Sequence, residues 1–253
     1  MNYKFILNNA DTDSIMFSKP DGIPFTEEEQ NSLLKEVNKL MPKFIEWNND
    51  GYYPSVVIIK SKNYVMFDGN RKHIKGSGFK SSNKEPALKE LMNEIVDELL
   101  ADASIDKCVE IYHKYIKEAI NIQDISRWSV KKTVTSKLLT SERANETKVV
   151  DAIGDDRVQE GDKIWVYSAI DGMIESVDKD GNVKYDKKTG QPKMEPNYVL
   201  KQSKDWDIGM PNEDKMHYVE RVYKTVDILS TVLPIERFKK YHLKKFHEDL
   251  DKL

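Results

Sequence analysis

The chain has 253 residues, 33% of them charged, and a formal net charge of −3. With a mean hydropathy of −0.66 and no apolar run near the roughly 20 residues that cross a bilayer, nothing in it suggests a membrane span. One cysteine, Cys108, and five histidines exclude an intramolecular disulfide and argue against a Cys/His zinc centre.

Met1 to Phe5 lack the charged-then-apolar layout of a secretory signal, so a soluble protein of a reducing compartment is expected. The segments YKFIL and SIMF are β-prone, and the polar cluster Asn8 to Asp13 between them suits a tight turn. This predicts a β-hairpin with acidic residues at its tip. Thr26, followed by Glu27, Glu28 and Glu29, is a helix start: the threonine caps and the carboxylates complement the positive end of the helix dipole. Leu33, Leu34, Val37, Leu40 and Met41 then recur at helical spacing. SVVIIK and NYVMFD predict two strands, and KHIK a third after a Gly69-Asn70 turn.

From Pro86 the pattern becomes helical, with an apolar stripe at Ala87, Leu88, Leu91, Ile95 and Leu99. Further helices are predicted over about 105–120 and 141–153, then a strand over 164–170. Turns at Asp180-Gly181 and Thr189-Gly190 predict a hairpin rich in lysine and aspartate. Two helices close the chain, about 213–232 and 234–250, broken at Pro234. The expected fold class is α+β: a small antiparallel sheet with a packed helix over 1–84, followed over 85–253 by a mainly helical region with a short β-hairpin element.

Charge is unevenly placed. Between Ile58 and Lys84 there are seven positive side chains (Lys60, Lys62, Arg71, Lys72, Lys75, Lys80, Lys84) against one negative, Asp68. A local excess of this kind offers a field to phosphates even in an acidic protein. Alternation places Lys60, Lys62 and Tyr64 on one strand face, where two cations and an aromatic ring can track a nucleic-acid backbone. An edge strand protected by lysines is the alternative. At the other end of the sheet, Asp11 and Asp13 are two carboxylates separated by one residue. They offer hard oxygen ligands of the kind magnesium takes in phosphoryl transfer, although surface turns use aspartate freely as well.

Asp11-Thr12-Asp13-Ser14 between two strands resembles the third palm motif of family B DNA polymerases, Tyr-Gly-Asp-Thr-Asp-Ser, with Asn9-Ala10 in place of Tyr-Gly. Lys60-Ser61-Lys62-Asn63-Tyr64 resembles the family's Lys-Lys-Arg-Tyr segment, with Asn63 in place of the arginine. Lys75-Gly76, followed by Gly78, Phe79, Lys80, Ser81 and Ser82, resembles the Lys-Gly…Arg stretch that leads into the thumb. Glu160-Gly161-Asp162-Lys163-Ile164 and the stretch Tyr218 to Arg221 are similar, more loosely, to late thumb elements.

The resemblance implies a palm portion over 1–84 and a thumb over 85–253. Asp13 is then the metal-ligating catalytic carboxylate and Asp11 its supporting neighbour. Lys60, Lys62, Tyr64, Lys75, Gly76, Lys80, Ser81 and Ser82 become primer–template contacts. It implies Mg2+ in a two-metal site, with dNTP and DNA as substrates.

The family's first palm motif, fingers and exonuclease precede this hairpin, and the sequence holds no such motifs before residue 11. A separate polypeptide is therefore expected to supply them, as in split polymerases of tailed bacteriophages, acting in the host cytoplasm. The alternative is a non-catalytic duplex-binding assembly factor derived from a thumb. Two other strings carry no function. Gly154-Asp155-Asp156 resembles the triplet of RNA-dependent RNA polymerases but follows a helix. The string from Asp178 imitates a calcium loop, with Val183 and Thr189 at positions that need glycine and glutamate.

Overall fold

The computed structural model describes residues 4–76, 84–154 and 156–241. They form two compact units: 4–76 with 96–104 and 228–234, and 84–95 with 105–227 and 235–241. The fold class is α+β, with helices and three small antiparallel sheets.

In the first unit, β1 (Ile6–Ala10) and β2 (Ile15–Ser18) pair antiparallel with Ala10 opposite Ile15. The Asp11–Ser14 connection closes through the Asp11 N–H, which donates to the Ser14 carbonyl at 2.8 Å. The register shifts between Leu7 and Asn9, a bulge that increases the local twist. Helix α1 (Glu27–Lys39) begins in a full capping box. Thr26 Oγ1 accepts the Glu29 N–H at 3.2 Å while Glu29 Oε2 accepts the Thr26 N–H at 2.8 Å.

The strands β3 (Ser55–Lys60), β4 (Asn63–Phe67) and β5 (Lys72–Lys75) form a meander with β4 in the centre. Val57 lies opposite Val65, and Val65 opposite Ile74, so one face carries an apolar row in which Val57 and Val65 are buried. Thr231 Oγ1 donates to the Ile59 carbonyl at 3.0 Å, and Lys72 pairs with Asp97 at 2.6 Å. These two bonds tie the segments 228–234 and 96–104 to the sheet.

The second unit is built on α2 (Pro86–Leu100, up to Ile95), α3 (Ile105–Ile120) and α6 (Lys215–Asp227). The apolar stripe expected from the sequence is realised in full burial of Leu88, Leu91 and Ile95, which join Tyr112, Tyr115, Ile116 and Val222 in the core. Each such side chain contributes roughly 1.5–3 kcal/mol.

Three of the buried tyrosines have their polar ends satisfied. The Tyr115 hydroxyl donates to Glu94 at 2.8 Å and that of Tyr112 to the Lys239 carbonyl at 2.6 Å; the Tyr218 hydroxyl accepts the Ser168 N–H at 2.8 Å. Burial pushes all three phenols well above their ordinary range. Glu85, 1% exposed, is held by a bidentate Arg221 fork, with Nε at 2.9 Å and Nη2 on the second oxygen.

Beside these helices, β6 (Val130–Thr133), β7 (Lys163–Glu175) and β8 (Met194–Gln202) form an antiparallel sheet. One face of it, with Ile164 and Val166, packs on Val149, Ala152 and Ile153 of a helix over Ala144–Ile153.

Several expectations are corrected. The helix predicted over 141–153 is present from Ala144 to Ile153, and a short turn of helix at Ser136–Thr140, which the sequence did not suggest, precedes it. The break comes at Ser141, whose hydroxyl bonds Glu146 and accepts the Arg143 N–H, an alternative to continuing the helical ladder. Strands β6 and β8 are absent from the sequence reading. The first is four residues long with two lysines and the second contains Pro196, so neither carries a clean period, and each exists through pairing with β7.

The helix expected over 213–232 spans Lys215–Asp227. The one expected from 234 is a 3-10 turn at Ile235–Arg237, followed by irregular chain to 241; the rest of that stretch lies outside the described residues.

Candidate nucleic-acid interface

Lys60, Lys62 and Tyr64 do not share the face of one strand. The chain reverses at Ser61-Lys62, so Lys60 ends β3, Lys62 occupies the turn, and Tyr64 belongs to β4. Lys62 takes φ +63, a left-handed conformation that costs an L side chain roughly 1–2 kcal/mol. Its ammonium then lies 3.2 Å from Asp11 Oδ1, across from the other hairpin. The edge-strand alternative describes Lys60, which ends the edge strand β3, but not Lys62 in the turn or Tyr64 on the central strand β4.

Gly76 explains the turn's shape from the opposite side. It sits at φ +99 just after β5, and a Cβ there would lie 2.3 Å from both the Lys62 carbonyl oxygen and Asn63 Oδ1. The close approach that glycine allows is therefore to the protein's own Lys62-Asn63 turn. Pairing of β4 with β5 sets Tyr64 opposite Lys75, and pairing with β3 sets Lys60 opposite Asn63. Three stretches of the sequence, at 11, 60–64 and 75–76, thus meet at one end of the first unit.

The electrostatics follow the geometry. Asp11 Oδ1 accepts the Thr12 N–H at 2.7 Å and the Thr12 hydroxyl at 3.2 Å. That N–H first, and then Lys62, hold the Asp11 carboxyl below its ordinary value. Asp13 is exposed at the hairpin tip. Lys60 and Lys75 are likewise exposed, leaving their ammonium groups in water. Lys80, Ser81 and Ser82 lie outside the described residues.

The sequence reading missed the Lys62–Asp11 ion pair and the role of Gly76 as a brace for the turn. Neither had a local signal: Gly76 meets the Lys62-Asn63 turn through the pairing of β4 with β5, and Asp11 and Lys62 belong to two separate sheets that meet only in the tertiary structure. It also missed Asp68, whose carboxyl accepts His73 Nε2 at 2.6 Å and the Arg71 and Asn70 N–H groups at 2.8 and 2.7 Å. The His73 bond, followed by the two amides, draws its value down to about 2. This pair braces the β4–β5 turn.

Asp11 and Asp13 have the hard oxygens that magnesium prefers. Among the described residues, however, no group of three or more His, Cys, Asp or Glu side chains is placed to hold a metal ion, and one of the two carboxylates already carries the Lys62 ammonium. The donor chemistry suits a divalent cation, but these residues alone do not make a complete site. The two strings set aside in the sequence behave as local structure. Gly154 caps its helix in the left-handed conformation at φ +44, and Asp178 accepts the N–H groups of Asp180 and Asn182, both at 2.9 Å.

No known protein-family profile matches the chain, and no curated protein sequence does. Among solved structures, the fold is similar to the family B DNA polymerase from the hyperthermophilic archaeon Pyrobaculum calidifontis. The TM-score is 0.58 at 18% sequence identity, covering 90% of this chain and 27% of that one. The likeness is a distant one of fold, and this chain spans about a quarter of that protein's length. Among the described residues no helix is long and apolar enough to cross a membrane.

Proposed function

We propose that this chain is the C-terminal palm-and-thumb portion of a family B DNA polymerase, with palm over 1–84 and thumb over 85–253. The observation that carries the reading is the convergence at the β3–β4 turn. Three segments that resemble successive polymerase motifs meet there, with Lys62 bridging to Asp11 at 3.2 Å and Gly76 braced against the Lys62 carbonyl. The distant fold likeness, which runs through 90% of the chain, supports it.

In this reading the exposed Lys60 and Lys75 ammoniums, with Tyr64 between the strands, grip the primer–template backbone. Phosphate contacts of this kind position a duplex without reading its sequence. Lys80, Ser81 and Ser82 extend the grip. Asp13, with Asp11 in support, contributes carboxylate oxygens to a Mg2+ site for nucleotidyl transfer from dNTP. A separate polypeptide completes that site and carries the first palm carboxylate, the fingers and the exonuclease.

Reconstitution tests this. The chain alone is expected to incorporate no nucleotide, and addition of the upstream polypeptide restores magnesium-dependent synthesis. Synthesis by the chain alone would sink the split arrangement. Asp13→Asn is expected to lower the reconstituted rate by on the order of a thousandfold, the scale of a lost transition-state charge contact, while assembly persists. A near-normal rate would move the metal role elsewhere.

A second reading is a non-catalytic duplex-binding assembly factor. It draws on the Lys62 ammonium at Asp11, since a carboxylate neutralised by a protein cation needs no metal. The same reconstitution separates the two: duplex binding without incorporation favours the factor.

A further inference from the structure

At the Lys163 end of the β6–β7–β8 sheet, before Tyr167 and Ala169 are buried on the same face further along β7, an exposed stretch carries a second cluster of cations and aromatic surface, distant in sequence from the turn described above. Antiparallel pairing sets Lys131 opposite Trp165 and Thr133 opposite Lys163. Partners two residues apart along a strand share a face, so these four side chains occupy one face at the β6 edge. The other face, with Ile164 and Val166, is the buried one.

Trp165 alone of the four tryptophans is exposed, at 39%. Trp128 and Trp206 sit inside the fold with their indole N–H groups donating to Glu118 at 3.2 Å and Glu213 at 2.9 Å. The Trp165 side chain has, among the described residues, one partner: the Lys131 ammonium, 5.6 Å from its ring centroid. Lys131 and Lys163 are both exposed, and neither forms an ion pair among the described residues. A cross-strand lysine–tryptophan pair accounts for Lys131 by itself. It does not account for an exposed indole flanked on the same face by a second unneutralised ammonium.

We propose that Trp165 is a stacking platform for an unpaired nucleobase, with Lys131 and Lys163 taking the neighbouring phosphates of a single-stranded nucleic acid. A flat aromatic face beside tracking cations is the arrangement that binds single strands without regard to sequence, because every base offers a π-face. The Lys131 ammonium lies over the ring, 5.6 Å from its centroid, and on binding it turns from the ring to the strand. The inference deepens the polymerase reading by giving the thumb a contact for the unpaired part of its substrate, and it rests on that reading for its biological role only.

Fluorescence anisotropy of the full chain with labelled oligo(dT), oligo(rU), a base-free phosphodiester strand and a blunt duplex tests it. Trp165→Leu is expected to weaken oligo(dT) binding about tenfold, within the range for one lost stacked base, and Trp165→Phe to restore most of it. The base-free strand is bound equally by parent and variant. Lys131→Ala lowers the salt slope on oligo(dT) by about 0.7, one phosphate contact on a single strand. The oligo(rU) arm decides whether deoxyribose matters. Unchanged oligo(dT) binding in Trp165→Leu, or an equal loss on the base-free strand, overturns the proposal. If Trp165→Leu alters the far-ultraviolet circular dichroism, Lys131→Ala decides alone: an unchanged salt slope on oligo(dT) overturns the proposal. Duplex binding that still depends on Lys62 and Lys75 would leave the polymerase reading standing when this one fails.

Discussion

The two ends of this chain fold by different means. Over 4–53 no side chain is buried, although the stretch contains a paired hairpin and a capped thirteen-residue helix. In the second unit, by contrast, Leu88, Leu91, Ile95, Tyr112, Tyr115, Ile116 and Val222 are all at 0% exposure. A helix of that length and a two-stranded hairpin are marginal in water without a covering core. The first region therefore depends on caps, turns, ion pairs and a half-buried cluster of Phe5, Phe17 and Phe25, and the second on apolar burial. Asp11 and Asp13 lie in the first, sparsely buried stretch, whereas Lys60, Lys62, Tyr64, Lys75 and Gly76 lie on or beside the sheet that buries Val57 and Val65.

The contrast can be broken most forcefully at Arg221. Arg221→Ala strands the Glu85 carboxylate, whose side chain is 2% exposed, and is expected to cost about 3–5 kcal/mol in denaturant unfolding. A loss below about 1 kcal/mol would show that water reaches Glu85 and that the second unit is less tightly packed than described. Gly76→Ala comes next. With φ +99 and the Lys62 carbonyl 2.3 Å from the new Cβ, the turn must shift, at about 2 kcal/mol. Duplex affinity should fall with it if the turn positions Lys62.

Thr26→Ala removes the capping box of α1 and is expected to cost about 1 kcal/mol, read as faster amide exchange over Glu27–Lys39. An unchanged exchange rate would mean that something other than its cap holds this helix.

The smallest effect is a matter of pH. Asp68 is held at about 2, chiefly by His73. A carboxyl whose folded value is depressed contributes stability that is complete above the unfolded value of about 3.9 and is lost as pH falls towards about 2. In His73→Ala the Asp68 value rises, visible by NMR titration of the carboxyl, and acid sensitivity within that window shrinks. No change in the titration would assign the depression to the Arg71 and Asn70 amides alone.

Local chemistry made much of this legible in advance. Thr26 with Glu29 announces a helix start wherever it occurs, SVVIIK and NYVMF have few alternatives to strand, and the stripe from Leu88 to Ile95 has one face to bury. The Asp11–Ser14 turn was equally evident, because short polar residues between β-prone runs close tight connections. Strands β6 and β8 were not legible, since a strand of mixed pattern acquires its identity from the neighbour it pairs with.

The site divides along the same line. Its residue types were written in the sequence: two carboxylates, a run of cations and a glycine before a further basic stretch. The tertiary structure decided that Lys62 turns out of the strand to meet Asp11, and that Gly76 serves the Lys62-Asn63 turn. Such contacts join segments some fifty residues apart, and no local propensity encodes which of several lysines a hairpin will carry to a distant aspartate. Strand register, which follows from burying Val57 and Val65 on one face, sets Gly76 against its turn, and the meeting of two separate sheets sets Lys62 against Asp11.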